Sequence, residues 1–432
     1  MKKFFMAACC AVMPMPQAAA FFQPAPHGTG EFHAQLSLDD ALHHALESHP
    51  DLDVAKTSLK IAEARQIRAN LRPSPTVSLE SENLAGRGEL KGLDGHETTL
   101  ALSQTLELGG KRKQRTQVAR LDVSLADWDR KSVRQRVLET TYLAFIDALA
   151  AQSLREQEAE KYKLAKSIDE KVQARVEAGK VSPLEGQRSQ INLASARVHW
   201  QQAEQRFLTV RKVLAGHLGK RVPFFETLVG TLDQLQLPPE PEKLANHLLD
   251  HPELARQVDE TLRGEAMLRS VKAARIPDLT LKAGYRRDGI SEDASWVVGF
   301  SVPIPNIKRN LAAKSEALSQ IDRVAQQKAA IEHHLWLEFA EVYESLIGQF
   351  EQAQTLASEI IPAAKLLLEG TTEGYREGKF SYLEVLDSQR AYFETLKSHT
   401  DALSMYHRYK VKLQALLGRD LTKVALGVWI DG

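Results

Sequence analysis

Two hydrophobic periods alternate along the chain. Leu100, Leu102, Leu106 and Leu108 are interleaved with Ala101, Ser103, Thr105 and Glu107, and Trp296, Val298, Phe300, Val302 and Ile304 alternate with smaller residues. A period of two gives a strand one apolar face and one different face. Strands are therefore expected near 98–108 and 295–304, with partners near 76–82 and 278–286. The Gly- and Asp-rich stretches 84–95 and 287–293 supply the turns. After each pair the period changes. Leu121, Leu125 and Trp128, then Leu138, Tyr142, Phe145 and Leu149, step by three or four. From 111 to 178 there is neither proline nor glycine; as one helix this stretch would be about 100 Å long, the length of a coiled coil. Gly179 ends it, Ser182 can cap a second helix, and Pro183 suits that helix's first position, with the run continuing to about 217. A second such pair is expected at 308–377 and 382–417, broken at Gly378 and recapped at Ser381. Pro362, Gly370 and Gly374 predict kinks or breaks there that the first pair lacks.

The doubling is general. Val176–Leu193 and Tyr375–Tyr392 share Gly, Lys, Ser, Leu, Glu, Ser and Gln in register. His49-Pro50-Asp51-Leu52 recurs as His251-Pro252-Glu253-Leu254, Lys111-Arg112 as Lys308-Arg309, and Leu218-Gly219 as Leu417-Gly418. One large unit is duplicated, each copy holding short helices, a strand hairpin and two very long helices. In the first copy Ser37-Leu38-Asp39-Asp40 forms a capping motif for the opening helix. The expected layout is a signal at 1–20, an extension at 21–35, repeat one at 36–225, a linker at 226–242, repeat two at 243–420 and a tail at 421–432. The fold class is mainly α with a small β part.

Composition narrows the setting. Aromatics make up only 6% of the 432 residues and charged residues 26%, which suits long helices rather than a β-rich core. A formal net charge of zero gives no footprint for nucleic acid. Lys2 and Lys3, the apolar stretch from Phe4 to Met15 and Ala18-Ala19-Ala20 form a secretory signal, cleaved after Ala20. Cys9 and Cys10 are the only cysteines, so cleavage leaves no thiol; lipid attachment at one of them is the competing outcome. No run of 18 apolar residues exists, so entry into a membrane would require a β-barrel. Barrels start at eight strands, and open edges are not tolerated in lipid. Four strands therefore belong either to a soluble sheet or to a barrel shared between chains, and three chains would give twelve.

The residues resemble the outer membrane factor, or TolC-like, family along essentially the whole mature chain. The duplication carries the resemblance, with Tyr375-x-x-Gly378-x-x-Ser381-Tyr382-Leu383-x-x-Leu386-Asp387-x-Gln389-Arg390 as its most specific stretch. Gln104-Thr105-Leu106-Glu107-Leu108-Gly109-Gly110-Lys111-Arg112 resembles the heavy-metal, cobalt–zinc–cadmium branch. The resemblance implies a homotrimer with a twelve-stranded barrel in the outer membrane of a Gram-negative bacterium and a periplasmic helical tunnel. It also implies a periplasmic adaptor and a resistance-nodulation-division pump as partners. Heavy-metal cations are the expected cargo; drugs or proteins secreted in one step are alternatives with the same fold, and a soluble periplasmic coiled-coil protein is the alternative without it.

Three groups of residues are candidates for function. The turns Gly179-Lys180-Val181-Ser182 and Gly378-Lys379-Phe380-Ser381 need Gly and Ser simply as turns, but not a repeated Lys beside an apolar residue. The resemblance makes these tips the adaptor docking surface. Glu384 and Asp387 share a helix face, and the resemblance places them at the periplasmic gate; a solvated face or pairing with Arg188 and Arg390 is the plainer alternative. Lys111, Arg112, Lys308 and Arg309 follow the exit strands and suit phosphate headgroups, with Tyr285 and Trp296 in an aromatic girdle or in ordinary sheet packing. His27, His33, His43, His44, His49, His333 and His334 lack the spacing of a metal motif. No nucleophile–base set or phosphate loop is present, so neither enzyme activity nor a cofactor is expected.

Overall fold

A computed structural model describes residues 33–84, 96–289, 291 and 293–423. The expected signal at 1–20, Cys9 and Cys10 included, lies outside the described residues, as do most of 84–95 and of the tail at 421–432.

The chain opens with β1 (His33–Leu36), α1 (Leu38–Ser48) and α2 (Pro50–Asn70). Ser37 caps α1 by accepting from the Asp40 N–H at 3.2 Å. The His-Pro motif has a similar purpose. His49 Nδ1 accepts from the Asp51 N–H at 3.3 Å while Pro50 takes a position that needs no donor. The strands β2 (Thr76–Glu82) and β3 (Glu97–Leu106) precede α3 (Lys111–Glu177), a single helix of 67 residues, and α4 (Pro183–His217) runs back along it. Next come β4 (Phe225–Leu228), the short α5 (Pro241–Ala245) and α6 (Pro252–Ala273), which His251 caps through the Glu253 N–H at 3.2 Å. The second copy then continues with β5 (Leu279–Asp288), β6 (Ala294–Ser301), α7 (Ile307–Thr355), α8 (Ile361–Arg376) and α9 (Tyr382–Leu416).

The second long helix is therefore jointed where the first is not. Between α7 and α8 lies one π turn, Leu356–Ile360, in which the Ile361 N–H bonds the Leu356 carbonyl. It immediately precedes Pro362, whose missing N–H and bulky ring disfavour a continuous α ladder. The expected breaks at Gly370 and Gly374 are not breaks, because α8 runs through both. Gly374 serves packing instead: a Cβ there would meet the Phe380 ring at 2.1 Å.

The two hairpins form one antiparallel sheet in the order β2-β3-β5-β6. Strand β3 of the first copy pairs with β5 of the second, Leu100 opposite Tyr285 and Leu102 opposite Ala283. One face collects Val77, Leu79, Leu100, Leu102, Tyr285, Trp296, Val298 and Phe300. Nothing covers this face in a single chain: Trp296, Val298 and Phe300 are each about four-fifths exposed. The opposite face carries Ser, Thr, Glu, Lys and Arg.

The main core lies along the helices, away from the sheet. Leu138, Tyr142, Phe145, Leu149, Phe207 and Leu214 are buried together in the first copy, and Phe339, Leu346, Tyr406 and Leu413 in the second. A small parallel sheet of β1 and β4 sits against the first cluster. The stretch expected as a linker, 226–242, thus begins within a strand. Its continuation is tied down by Tyr406, whose hydroxyl donates to the Gln236 carbonyl at 2.6 Å, by His407 at 2.9 Å from the Leu232 carbonyl oxygen, and by Tyr343.

Candidate functional site

The two helix turns share one backbone geometry. Gly179 has φ +67° and Gly378 φ +78°, left-handed values that glycine adopts without strain. The Lys180 N–H returns to the Arg175 carbonyl and the Lys379 N–H to the Gly374 carbonyl, each at 2.8 Å, a Schellman closure of the preceding helix. Ser182 then caps α4, accepting from the Leu184 N–H at 3.3 Å. Lys180 is exposed, and no ion pair engages it among the described residues. Lys379 pairs with Glu377 at 2.5 Å. Val181 is half-buried, and Phe380, 43% exposed, lies over Gly374.

Glu384 and Asp387 do not act alike. The Glu384 carboxylate accepts from the Ser381 N–H at 2.7 Å and from the Ser381 hydroxyl at 2.9 Å, a capping box. The backbone N–H and then the hydroxyl hold its pKa below the usual carboxylate value. Asp387 is exposed one turn further on, with no ion-pair partner among the described residues. Arg188 and Arg390 do not pair with it; both line a cavity of about 400 Å3 that Lys161, Asn192 and Glu394 also line.

Beneath the tips, three further residues join the two hairpins. Arg175, on α3, donates to the Tyr375 carbonyl of α8 at 2.6 Å and lies 4.5 Å from the centre of its ring. The Tyr375 hydroxyl donates to Glu185 of α4 at 3.4 Å. Burial first, and Glu185 second, raise the phenol's pKa, so it stays a donor. Tyr382, Val385, Ile168 and Val172 close an apolar cluster around this link.

At the other end, Lys111 lies between the two hairpins, its Nζ 2.7 Å from Asp278, which also accepts from the Leu108 N–H. Arg115 pairs with Glu107 and donates to the carbonyls of Ala69 and Leu71. Arg112, Lys308 and Arg309 are exposed, and no ion pair engages them among the described residues. Tyr285 and Trp296 meet edge to face, 5.7 Å between ring centres, on the uncovered apolar face. Among the described residues no three His, Cys, Asp or Glu side chains are grouped to hold a metal ion, and no helix is long and apolar enough to cross a membrane. His27 lies outside the described residues.

The model of the outer membrane efflux protein family matches residues 41–220 and 245–419, which take in both copies. The chain belongs to this family. The cobalt-zinc-cadmium resistance protein CzcC of Cupriavidus metallidurans is 27% identical over 94% of this chain and 99% of its own length. The cation efflux system protein CusC of Escherichia coli K12 is 24% identical over 94% of this chain and 93% of its own. In fold, the efflux protein superposes on a crystal structure of CusC with a TM-score of 0.75 at 19% identity, covering 95% of this chain and 98% of the other. The open state of the MtrE outer membrane channel of Neisseria gonorrhoeae gives 0.73 at 18% identity, over 89% of each chain. Both of these solved structures are of membrane channels.

Within the efflux protein, sequence reasoning marked the tips but missed Arg175, Tyr375 and Glu185 as a linked set. Tyr375 was visible only as the first residue of the shared stretch and of the family-like motif within it. Its partners lie about two hundred positions earlier, and no local spacing reveals them.

Proposed function

We propose that three copies of the chain form one exit duct through which heavy-metal cations leave the cell. The observation that carries this is the sheet: four strands with a bare apolar face and two open edges, β2 and β6. Open edges are costly in lipid, and closure removes them. Three such sheets supply twelve strands, with the apolar face toward outer-membrane lipid and the polar face toward the channel. Arg112, Lys308 and Arg309, flanking Lys111, then meet phosphate headgroups at the inner rim, and Tyr285 and Trp296 belong to the aromatic girdle. The helices, several times longer than a bilayer is thick, form the periplasmic tunnel.

At the far end, the tips Gly179–Ser182 and Gly378–Ser381 receive a periplasmic adaptor, which couples the duct to a resistance-nodulation-division pump. Asp387 and Glu384 line the gate. Asp387 carries the free charge, while Glu384 fixes the start of its helix. The Arg175–Tyr375–Glu185 link holds the two hairpins together in the closed state. The metal cargo is supported by the relatives' own names, cobalt, zinc and cadmium among them. A deletion strain tested against zinc, cobalt, cadmium, nickel, copper and a drug panel decides the cargo. Metal sensitivity restored by the gene is expected; sensitivity to drugs alone overturns the metal assignment. Absence of heat-modifiable trimers from the outer-membrane fraction would overturn the duct.

A further inference from the structure

The polar face of the sheet orders its charges by register. Glu82 stands directly opposite Glu97, which has Asp288 opposite it on its other side, and Glu80 stands opposite Thr99, which in turn faces Arg286. Like charges directly opposite on one face of a sheet repel. Arg286 resolves the clash. Its guanidinium is 2.9 Å from Glu97 and 3.3 Å from Glu82, and its Nε donates to the Thr99 hydroxyl at 3.0 Å. One planar fork thus holds two carboxylates on two strands, which the point charge of a lysine does less well. Lys282 binds Glu80, its Nζ 3.0 Å from both oxygens. Both cations reach across β3, since β2 and β5 are not neighbours. The Arg286 rung lies toward the strand turns, the end of the sheet farthest from the helices.

We propose that Arg286 sets the charge selectivity of the duct's outer mouth, by occupying Glu82 and Glu97 so that a departing cation passes them without lodging. The inference rests on the duct reading, in which this face lines the channel. Without Arg286, the Glu82 and Glu97 of three chains would add six unpaired carboxylates to a ring in which each chain also sets Asp288 beside Glu97. Conduction needs binding weak enough for release, and such a ring would hold a divalent cation. With Arg286 the net negative charge of each chain at this rung falls from three to two, Asp288 included, which favours cations without trapping them.

Purified protein in planar bilayers under a potassium chloride gradient tests this through the reversal potential, with cobalt(II) chloride added to each side in turn. Arg286→Gln is expected to raise the cation-to-anion permeability ratio severalfold and to introduce a block by cobalt that the wild type lacks. Glu82→Gln combined with Arg286→Gln restores the original charge count and is expected to return the ratio toward the wild-type value, which a purely structural role for Arg286 would not do. Glu97→Gln, which relieves a repulsion, is expected to lower the ratio. Conducting Arg286→Gln channels with an unchanged ratio, or a double variant as shifted as the single, overturn the proposal. If Arg286→Gln fails to assemble, an unchanged ratio in Glu97→Gln overturns it alone. A wild-type chain with no conductance overturns the duct reading and this inference with it.

Discussion

The two helical hairpins close with the same turn and stand on different supports. The first tip ends α3, 67 residues without interruption. The second ends α8, 16 residues beyond a π turn. Lys180 is open where Lys379 is paired to Glu377, and Val181 is half-buried where Phe380 covers Gly374. Arg188 occupies the position that corresponds to Asp387. A continuous rod and a jointed arm are thus linked near their ends by Arg175, Tyr375 and Glu185. The turn is what the copies share, and the π joint before Pro362 is where they part. Duplication fixes the common geometry, and a single residue such as Pro362 goes with a local change of helix type.

The largest test of this contrast removes what the tips have in common. Reversing Lys180 and Lys379 to Glu together is expected to abolish efflux while trimers still form; full metal resistance in that variant would show that the tips dock nothing. The next test separates rod from arm. Arg175→Ala deletes the hydrogen bond and the ring contact to Tyr375, and single-channel recordings are expected to show severalfold more open time, whereas Lys379→Ala, which loses only an exposed pair, changes little. Equal effects of the two would erase the distinction.

A third test uses a group found in one copy only. His407 is buried in α9, and Leu208 corresponds to it in α4. Burial above all, and the nearby Lys410, depress its pKa to about 4, against the Leu232 carbonyl and Asp233, which pull it up. The folded protein therefore binds this proton less readily than the unfolded chain. The associated stability is complete above about pH 6.5 and is lost as pH falls toward 4, a change on the order of 3 kcal/mol. Thermal melts across that window are expected to fall more steeply for the wild type than for His407→Gln; parallel curves would remove His407 from the account. The smallest effect is expected from Gly374→Ala. The added methyl collides with the Phe380 ring and should cost about 1–3 kcal/mol, recovered in part by Phe380→Ala. The corresponding change at the exposed Gly370, where a Cβ meets nothing within 4 Å, should be harmless.

Much of this architecture was legible because it repeats over long stretches. The strands at Thr76–Glu82 and Ala294–Ser301, the length of α3 and the turns at Gly179 and Gly378 all follow from period and punctuation. The strands β1 and β4 were not, since each has four residues and its partner lies nearly two hundred positions away. Pro362 marked the place of the joint but not its form, because a π turn is one of several ways to absorb a missing donor. Glu384 teaches a different lesson. Its spacing from Ser381 spells a capping box in the sequence itself, yet the pairing with Asp387 drew both carboxylates into one role. Geometry divides them: one carboxylate is held by the backbone and the other is free.

The pairing of β3 with β5 has a consequence for symmetry. It sets the second hairpin beside the first as a near-translated copy, so each chain already contains one junction of the kind the proposed ring needs again between chains. Three chains then approximate a sixfold assembly of single hairpin units while being only threefold in fact. Positions that six identical units would share fall into two alternating sets of three. One set carries the uninterrupted helix and the other the π joint.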